Sequence, residues 1–431
     1  MIIVDTALEQ RRKEGNPVRV AMTGAGYMGR GIALQILGSM PGMRLVAISN
    51  RTLETAARAY AQAGVESVRD VSTVAELEEA IGRGQYAITG NAQLLCEAAG
   101  VDVVIEATGE VEFGAHVVTR AIDHGKHVVL MNAEIDATIG PILKMRADRA
   151  GVVISNTDGD QPGEIMNLLR FVTSIGCKPV LAGNIKGMID PYRTPDTQRK
   201  FAEANKQQVK MITSFADGTK ISMEMAVVAN ATGFRAGKRG MYGPRCAHAN
   251  DAIGLFPSEQ LLNGGLVDYI VGAEPGPGVF VIAHNDNPIR QQYMSYFKMG
   301  DGPFYVFYTP YHLPHLEAPL TAARAALFRD AAVTPLSGPV CEVITVAKRD
   351  LKEGELIDGI GGFTCYGVLD NADVAQREDL LPMGLAEGCR LTRAVRRDEP
   401  LSSGDVVLPE GRLCDQLRAE QDHFFRSATG R

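Results

Sequence analysis

The sequence predicts an α/β protein: an N-terminal parallel sheet with helical crossovers, a mixed α/β middle and a small β-rich module at the C-terminal end. Three observations carry this. An apolar run, Val18–Thr23, stops at a glycine cluster and gives way to a helical pattern through Ile32, Ala33, Ile36 and Leu37. Further apolar runs at 43–49, 102–109, 126–134 and 152–164 end in polar residues, as strands buried in a parallel sheet do. Past residue 335, alternating stretches punctuated by glycine replace the helical periodicity. These patterns divide the chain into 1–165, 166–335 and 336–431.

Composition narrows the partners. The 431 residues carry a formal net charge of -7 and no basic tract, which argues against nucleic acid. No apolar run is long enough to span a bilayer, and Met1–Asp5 lacks the basic and apolar regions of a signal peptide. The seven cysteines are scattered, with no C-x-x-C pair. The expectation is a cytoplasmic protein with reduced thiols, a small-molecule substrate, and neither membrane nor nucleic-acid partners. A homodimer is expected.

In chain order, residues 5–16 read as a short polar helix. Strand and helix then meet at Gly24-x-Gly26-x-x-Gly29. The first glycine permits the turn, the second admits a pyrophosphate to the backbone, and the third lets helix and strand pack closely. Free amides at the helix N-terminus face the phosphates. Gly24, Gly26, Tyr27, Met28 and Gly29 are therefore expected to bind a dinucleotide, in a Rossmann domain. The next strand ends at Asn50-Arg51-Thr52, where NAD-specific folds place an acid to hold the ribose hydroxyls. A carboxylate there would repel a 2′-phosphate and Arg51 would pair with it, so NADP(H) is favoured. Thr108 and Gly109 close the strand expected beside the cofactor. Later strand ends carry Asn132, Glu134, Asp158, Asp160, Gln161 and Glu164. Ligands bind at the carboxyl ends of parallel strands. Glu134 and Asp160 are the candidates there to touch substrate, metal or nicotinamide; the others also suit turns and caps. His127, at a strand start, reads as structural.

The middle of the chain shows a helix at 164–175, a strand at 179–184 and two polar stretches, 185–195 and 213–220. Carbonyl reduction needs a group that gives a proton or positive charge to the developing alkoxide. Lys186 with Asp190, and Asp217 with Lys220, are the candidate pairs; 217–220 also reads as a plain tight turn. A helix at 221–232 carries Glu224 and Asn230, the latter a substrate or capping residue. Strands are expected at 279–284 and 303–308. His312 and His315 read as loop or strand-edge residues, since no third metal ligand is evident. The stretch Val343–Ile357 is echoed at Cys389–Leu401, and Asp415–Phe425 reads as an amphipathic helix.

The N-terminal half resembles homoserine-dehydrogenase-like NAD(P)-binding domains. The block Gly183-Asn184-Ile185-Lys186-Gly187 through Asp190–Pro195, with Thr213–Lys220 and Ala229–Gly233, resembles the deoxyxylulose-phosphate-reductoisomerase-like family, whose members end in a SAF domain. Residues 338–409 look like that SAF β-clip. The resemblance covers nearly the whole chain. It implies an NADPH-dependent enzyme converting 1-deoxy-D-xylulose 5-phosphate to 2-C-methyl-D-erythritol 4-phosphate in isoprenoid synthesis. A rearrangement to an aldehyde phosphate would precede the reduction. Mg²⁺ or Mn²⁺ would polarise the ketone and its neighbouring hydroxyl. Under this expectation Lys186, Asp190, Asp217, Lys220 and Glu134 are catalytic. Asp160, Arg193, Ser214, Asn230 and Lys238 bind substrate. Glu134, Asp160 and Asp190 offer oxygen ligands to the metal, although sequence spacing does not assemble them. Two other readings stay open: a dehydrogenase for homoserine or another small hydroxy acid or polyol, and a cofactor-bound sensor or assembly protein whose C-terminal module binds a partner.

Overall fold

The structure, a computed structural model, describes residues 3–428. Six helices position the residues of interest: α1 (Tyr27–Ser39), α2 (Ala133–Ala150), α3 (Gln161–Ser174), α4 (Val209–Asp217), α5 (Thr219–Thr232) and α6 (Pro314–Phe328). The chain forms two compact units. The first comprises Met1–Asp160, Leu313–Thr334 and Leu413–Asp422; the second comprises Gln161–His312, Pro335–Arg412 and His423–Arg431.

The first unit is built on seven strands: β1 (Val18–Thr23), β2 (Met43–Ser49), β3 (Arg69–Asp70), β4 (Ala87–Thr89), β5 (Val103–Glu106), β6 (His127–Leu130) and β7 (Ile154–Asn156). All pair in parallel, in the order β3-β4-β2-β1-β5-β6-β7. This is the Rossmann arrangement the sequence predicts. Strand order reverses at β1, the crevice where such sheets take ligands. Register brings the strand ends level there, since Thr23 lies beside both Ser49 and Glu106. The helix α6 completes the unit. Its Ala318, Ala322 and Ala323 are buried in one core with Ile32, Ile36 and Val129. Small side chains let it lie close on α1 and the sheet.

The second unit holds a five-stranded mixed sheet: β8 (Lys178–Lys186), β9 (Arg235–Ala236), β10 (Leu266–Val271), β11 (Gly278–His284) and β12 (Phe304–Thr309). Their order is β12-β11-β8-β10-β9, with β8 central. The strands expected at 279–284 and 303–308 are β11 and β12, paired antiparallel. Two small antiparallel sheets come after them in the chain, β13 (Cys341–Ala347) with β14 (Cys365–Asn371), and β15 (Arg390–Leu391) with β16 (Val406–Val407). One reading changes: Thr213–Asp217 belongs to α4, and Gly218, at φ +90°, turns the chain directly into α5. The tight turn thus joins two helices. No helix among the described residues is long and apolar enough to cross a membrane.

Candidate active site

In the first unit the glycine loop has the shape a dinucleotide needs. Gly24 is at φ +94°, and a Cβ there would fall 2.7 Å from the Ala107 carbonyl oxygen. One on Gly29 would fall 2.2 Å from the Gly24 carbonyl oxygen. At Gly26 a Cβ would meet nothing within 4 Å, so the backbone there is open to an approaching phosphate. The residues fit the cofactor. Tyr27, exposed, and Met28, half-buried, open α1 behind the loop. Asn50 braces it: its Oδ1 accepts from the Ala25 amide at 3.1 Å and its Nδ2 donates to the Thr52 carbonyl at 2.9 Å. Arg51 is exposed and makes no ion pair with a described residue.

At the end of β5, Glu106 is fully buried. Its Oε1 accepts from the Thr108 amide at 2.9 Å and from the Thr108 hydroxyl, and its Oε2 accepts from Asn132 Nδ2 at 2.8 Å. Burial pushes the carboxyl up to about 7, against the pull of those donors. Glu106 therefore sets the Thr108–Gly109 turn. Asn132 also caps α2 by accepting from the Ile135 amide at 3.1 Å. Glu134 is buried in the first turn of α2, and Asp160 is 8% exposed past β7. Asp158 is tied to α6: it accepts from Arg324 Nη1 at 2.9 Å and from Thr321 Oγ1 at 2.9 Å.

In the second unit the expected pairs do not form. Lys186, at the end of β8, lies 3.2 Å from Glu224 Oε2 on α5, and not on Asp190. Asn184 Nδ2 donates to the same Glu224 oxygen at 2.7 Å. The Asn184 side-chain oxygen is buried with no hydrogen-bond partner, an acceptor left open beside the pair. The Lys186 side chain is 16% exposed and that of Glu224 2%. Lys220 stands one turn before Glu224 on α5, on the same face, and is 8% exposed. Gln161 and His312 approach each other at 3.3 Å.

The other named residues have mostly structural partners. Asp190 pairs with Arg193 at 3.0 Å near the surface. Asp217 pairs with Lys348, not Lys220, at 2.9 Å; burial raises its carboxyl and Lys348 lowers it. The Lys348 ammonium also donates to the Arg193 and Gly362 carbonyls, each at 2.8 Å, and so pins three segments together. Ser214 donates to the Met211 carbonyl of its own helix at 2.7 Å. Asn230 accepts from the Val340 and Cys341 amides at 2.8 and 3.0 Å. The Lys238 ammonium sits 5.3 Å from the Tyr242 ring centroid. Among the described residues no group of three or more His, Cys, Asp or Glu could hold a metal ion; of the expected ligands, Glu134 and Asp160 belong to the first unit and Asp190 to the second. Glu106, Asn184, Glu224 and Lys348 escaped the sequence reading as site or anchoring residues. For Glu106 a signal existed, an acid closing the apolar run Val103–Ile105.

Residues 24–151 match the NAD binding domain of homoserine dehydrogenase, and residues 159–318 match the catalytic domain of oxidoreductase DRL. Among solved structures, a biliverdin reductase from Synechocystis sp. PCC 6803 with biliverdin and NADP+ is 15% identical, over 68% of this chain and 80% of that one, at a TM-score of 0.36. A 1-deoxy-D-xylulose 5-phosphate reductoisomerase from Zymomonas mobilis with NADPH is 19% identical, over 48% and 56%, at 0.33. An NAD binding oxidoreductase from Klebsiella pneumoniae is 19% identical, over 41% and 44%, at 0.29, so the chain spans less than half of its length. No curated protein matches this chain. Two segments of the chain thus match domains of NAD(P)-binding oxidoreductases, and the open glycine loop lies in the first of them.

Proposed function

We propose that the chain is an NADPH-dependent reductase of a small phosphorylated carbonyl compound, with 1-deoxy-D-xylulose 5-phosphate as the substrate it rearranges and reduces. The observation that carries this is the Lys186–Glu224–Asn184 cluster, inside the segment that matches an oxidoreductase catalytic domain. The unpaired Asn184 oxygen suits a substrate hydroxyl, which would donate to it. Arg51, exposed and unpaired at the end of β2, suits the 2′-phosphate of NADPH. The SAF-like reading of residues 336–431 belongs to the same proposal.

Bound NADPH supplies the hydride, which adds to the carbonyl carbon. The Lys186 ammonium is the group that would stabilise the developing alkoxide and give it a proton. Glu224 holds that ammonium in place. The lysine is recharged from water through its exposed edge. The rearrangement leaves the substrate's composition unchanged; the reduction consumes one NADPH and one proton. These steps use the cofactor's hydride and the chain's own side chains.

The test is NADPH consumption with a panel of ketose phosphates, aldehydes and semialdehydes. Turnover of 1-deoxy-D-xylulose 5-phosphate that Lys186→Met abolishes supports the reading. Turnover of aspartate semialdehyde instead replaces it with a homoserine-type dehydrogenase. Cofactor binding without turnover of any substrate replaces it with a sensor.

A further inference from the structure

The glycine motif does not include α6, yet this helix reaches the motif within the first unit. His315 stands in its first turn. The imidazole packs edge-on against Tyr27, with centroids 6.2 Å apart and planes at 75°. It also fills the space left by Gly31: a Cβ there would fall 2.4 Å from His315 Cδ2 and 2.8 Å from Cγ. Tyr27 and Gly31 are four residues apart, hence on one face of α1. The imidazole therefore packs on the Tyr27–Gly31 side of the first two turns of α1, the helix that the glycine motif opens.

This placement is anchored independently. Asp158 holds α6 through Thr321 and Arg324. The turn at Gly159 is so close that a Cβ there would fall 2.7 Å from Glu317 Cβ and from the Leu313 carbonyl oxygen. His315 is thus held from both sides, while its polar atoms are unused. Nδ1 is buried without a partner, and Nε2 makes no hydrogen bond to a described residue. Burial also lowers the imidazole's affinity for a proton. A neutral imidazole still has one N–H to donate. With Nδ1 sealed off, Nε2 is the nitrogen that could reach a ligand, and a donor already fixed by packing on the helix that the motif opens binds an anion economically, because its ordering cost is already met.

We propose that His315 donates a hydrogen bond to the pyrophosphate of the bound dinucleotide, with Gly31 as the notch that seats the ring. This rests on the nucleotide-binding reading of the first unit and adds a ligand from nearly three hundred residues beyond the motif. Gly31 then has a role apart from Gly24, Gly26 and Gly29. Alanine would favour the helix at this position, but it would displace the imidazole.

The experiment compares binding of NADPH, NADH, ADP-ribose and nicotinamide mononucleotide to the full chain by calorimetry. The first three carry a pyrophosphate and the last does not. His315→Leu, which keeps the bulk and removes the donor, is expected to weaken the first three alike, by about tenfold or more. His315→Gln, whose amide nitrogen has a similar reach, recovers most of the loss. Gly31→Ala gives a comparable loss in the wild-type background and none in a His315→Ala background. Should His315→Leu fail to fold, Gly31→Ala and His315→Gln carry the test. Unchanged NADH and ADP-ribose affinity in either His315→Leu or Gly31→Ala overturns the inference. A loss confined to NADPH also overturns it, by moving the contact to the 2′-phosphate. Wild-type protein that binds none of the dinucleotides overturns the nucleotide-binding reading itself.

Discussion

Lys186 and Glu224 are a half-buried cation and a buried anion 3.2 Å apart, so each substitution has a distinct signature. Lys186→Met removes the proposed proton source and is expected to lower kcat by roughly 10²–10⁴-fold, with NADPH affinity unchanged. Equal kcat in the variant would remove Lys186 from the chemistry. Under the proposed reading, Arg51 acts on cofactor choice alone. Arg51→Ser should weaken NADPH by roughly ten- to a hundredfold and leave NADH untouched, as read from the two binding constants. Equal losses for both would contradict a 2′-phosphate contact. Glu106 is legible through pH. A free glutamate titrates near 4.5, whereas Glu106 keeps its proton to about 7 in the fold. Its contribution to stability is therefore complete below the lower value and lost as pH rises through the upper one, by on the order of 3 kcal/mol. Glu106→Gln, neutral throughout, should gain on the wild type across that window in urea unfolding. Parallel stability profiles would show that Glu106 ionises like an exposed acid.

Among elements, the strands of the first sheet were the easiest to read. β2 spans Met43–Ser49, the run seen in the sequence, and β5, β6 and β7 lie within their expected runs. Strands covered on both faces must be continuously apolar, so the pattern is local. The lysine–carboxylate pairs were not local. Lys186 and Glu224 are thirty-eight positions apart, and Asp217 and Lys348 well over a hundred, so chain proximity suggested the wrong partners. Thr213–Asp217 carries hydroxyls that read as part of a polar stretch; in α4 Thr213 and Ser214 turn theirs back to the helix's own carbonyls. The alanine-rich α6 showed nothing in sequence to say which sheet it covers. Its anchor is the Asp158–Arg324 pair, whose side chains are 5% and 16% exposed. Asp158→Ala leaves that guanidinium with Asp330 as its remaining carboxylate, frees the Thr321 hydroxyl, and should cost about 1–3 kcal/mol in urea unfolding. Exchange at the α6 amides should rise first. A loss under half a kcal/mol would mean that apolar packing alone holds the helix.

For the whole molecule, the two units are interleaved along the chain. Residues 313–334 and 413–422 return to the first unit after the chain has entered the second. A fragment ending at Asp160 would contain the entire glycine motif and still lack Ala318, Ala322 and Ala323 of its core. It should bind a hydrophobic dye and unfold without a cooperative transition. A melt as sharp as that of the full chain would show that α6 is dispensable. Such threading also bears on biosynthesis. The ribosome adds roughly 5–20 residues per second. The 174 positions from 161 to 334 therefore take roughly 10–35 s, during which the face awaiting α6 is uncovered. Throughout that interval the nascent chain presents an apolar surface that waits for its own later residues to cover it.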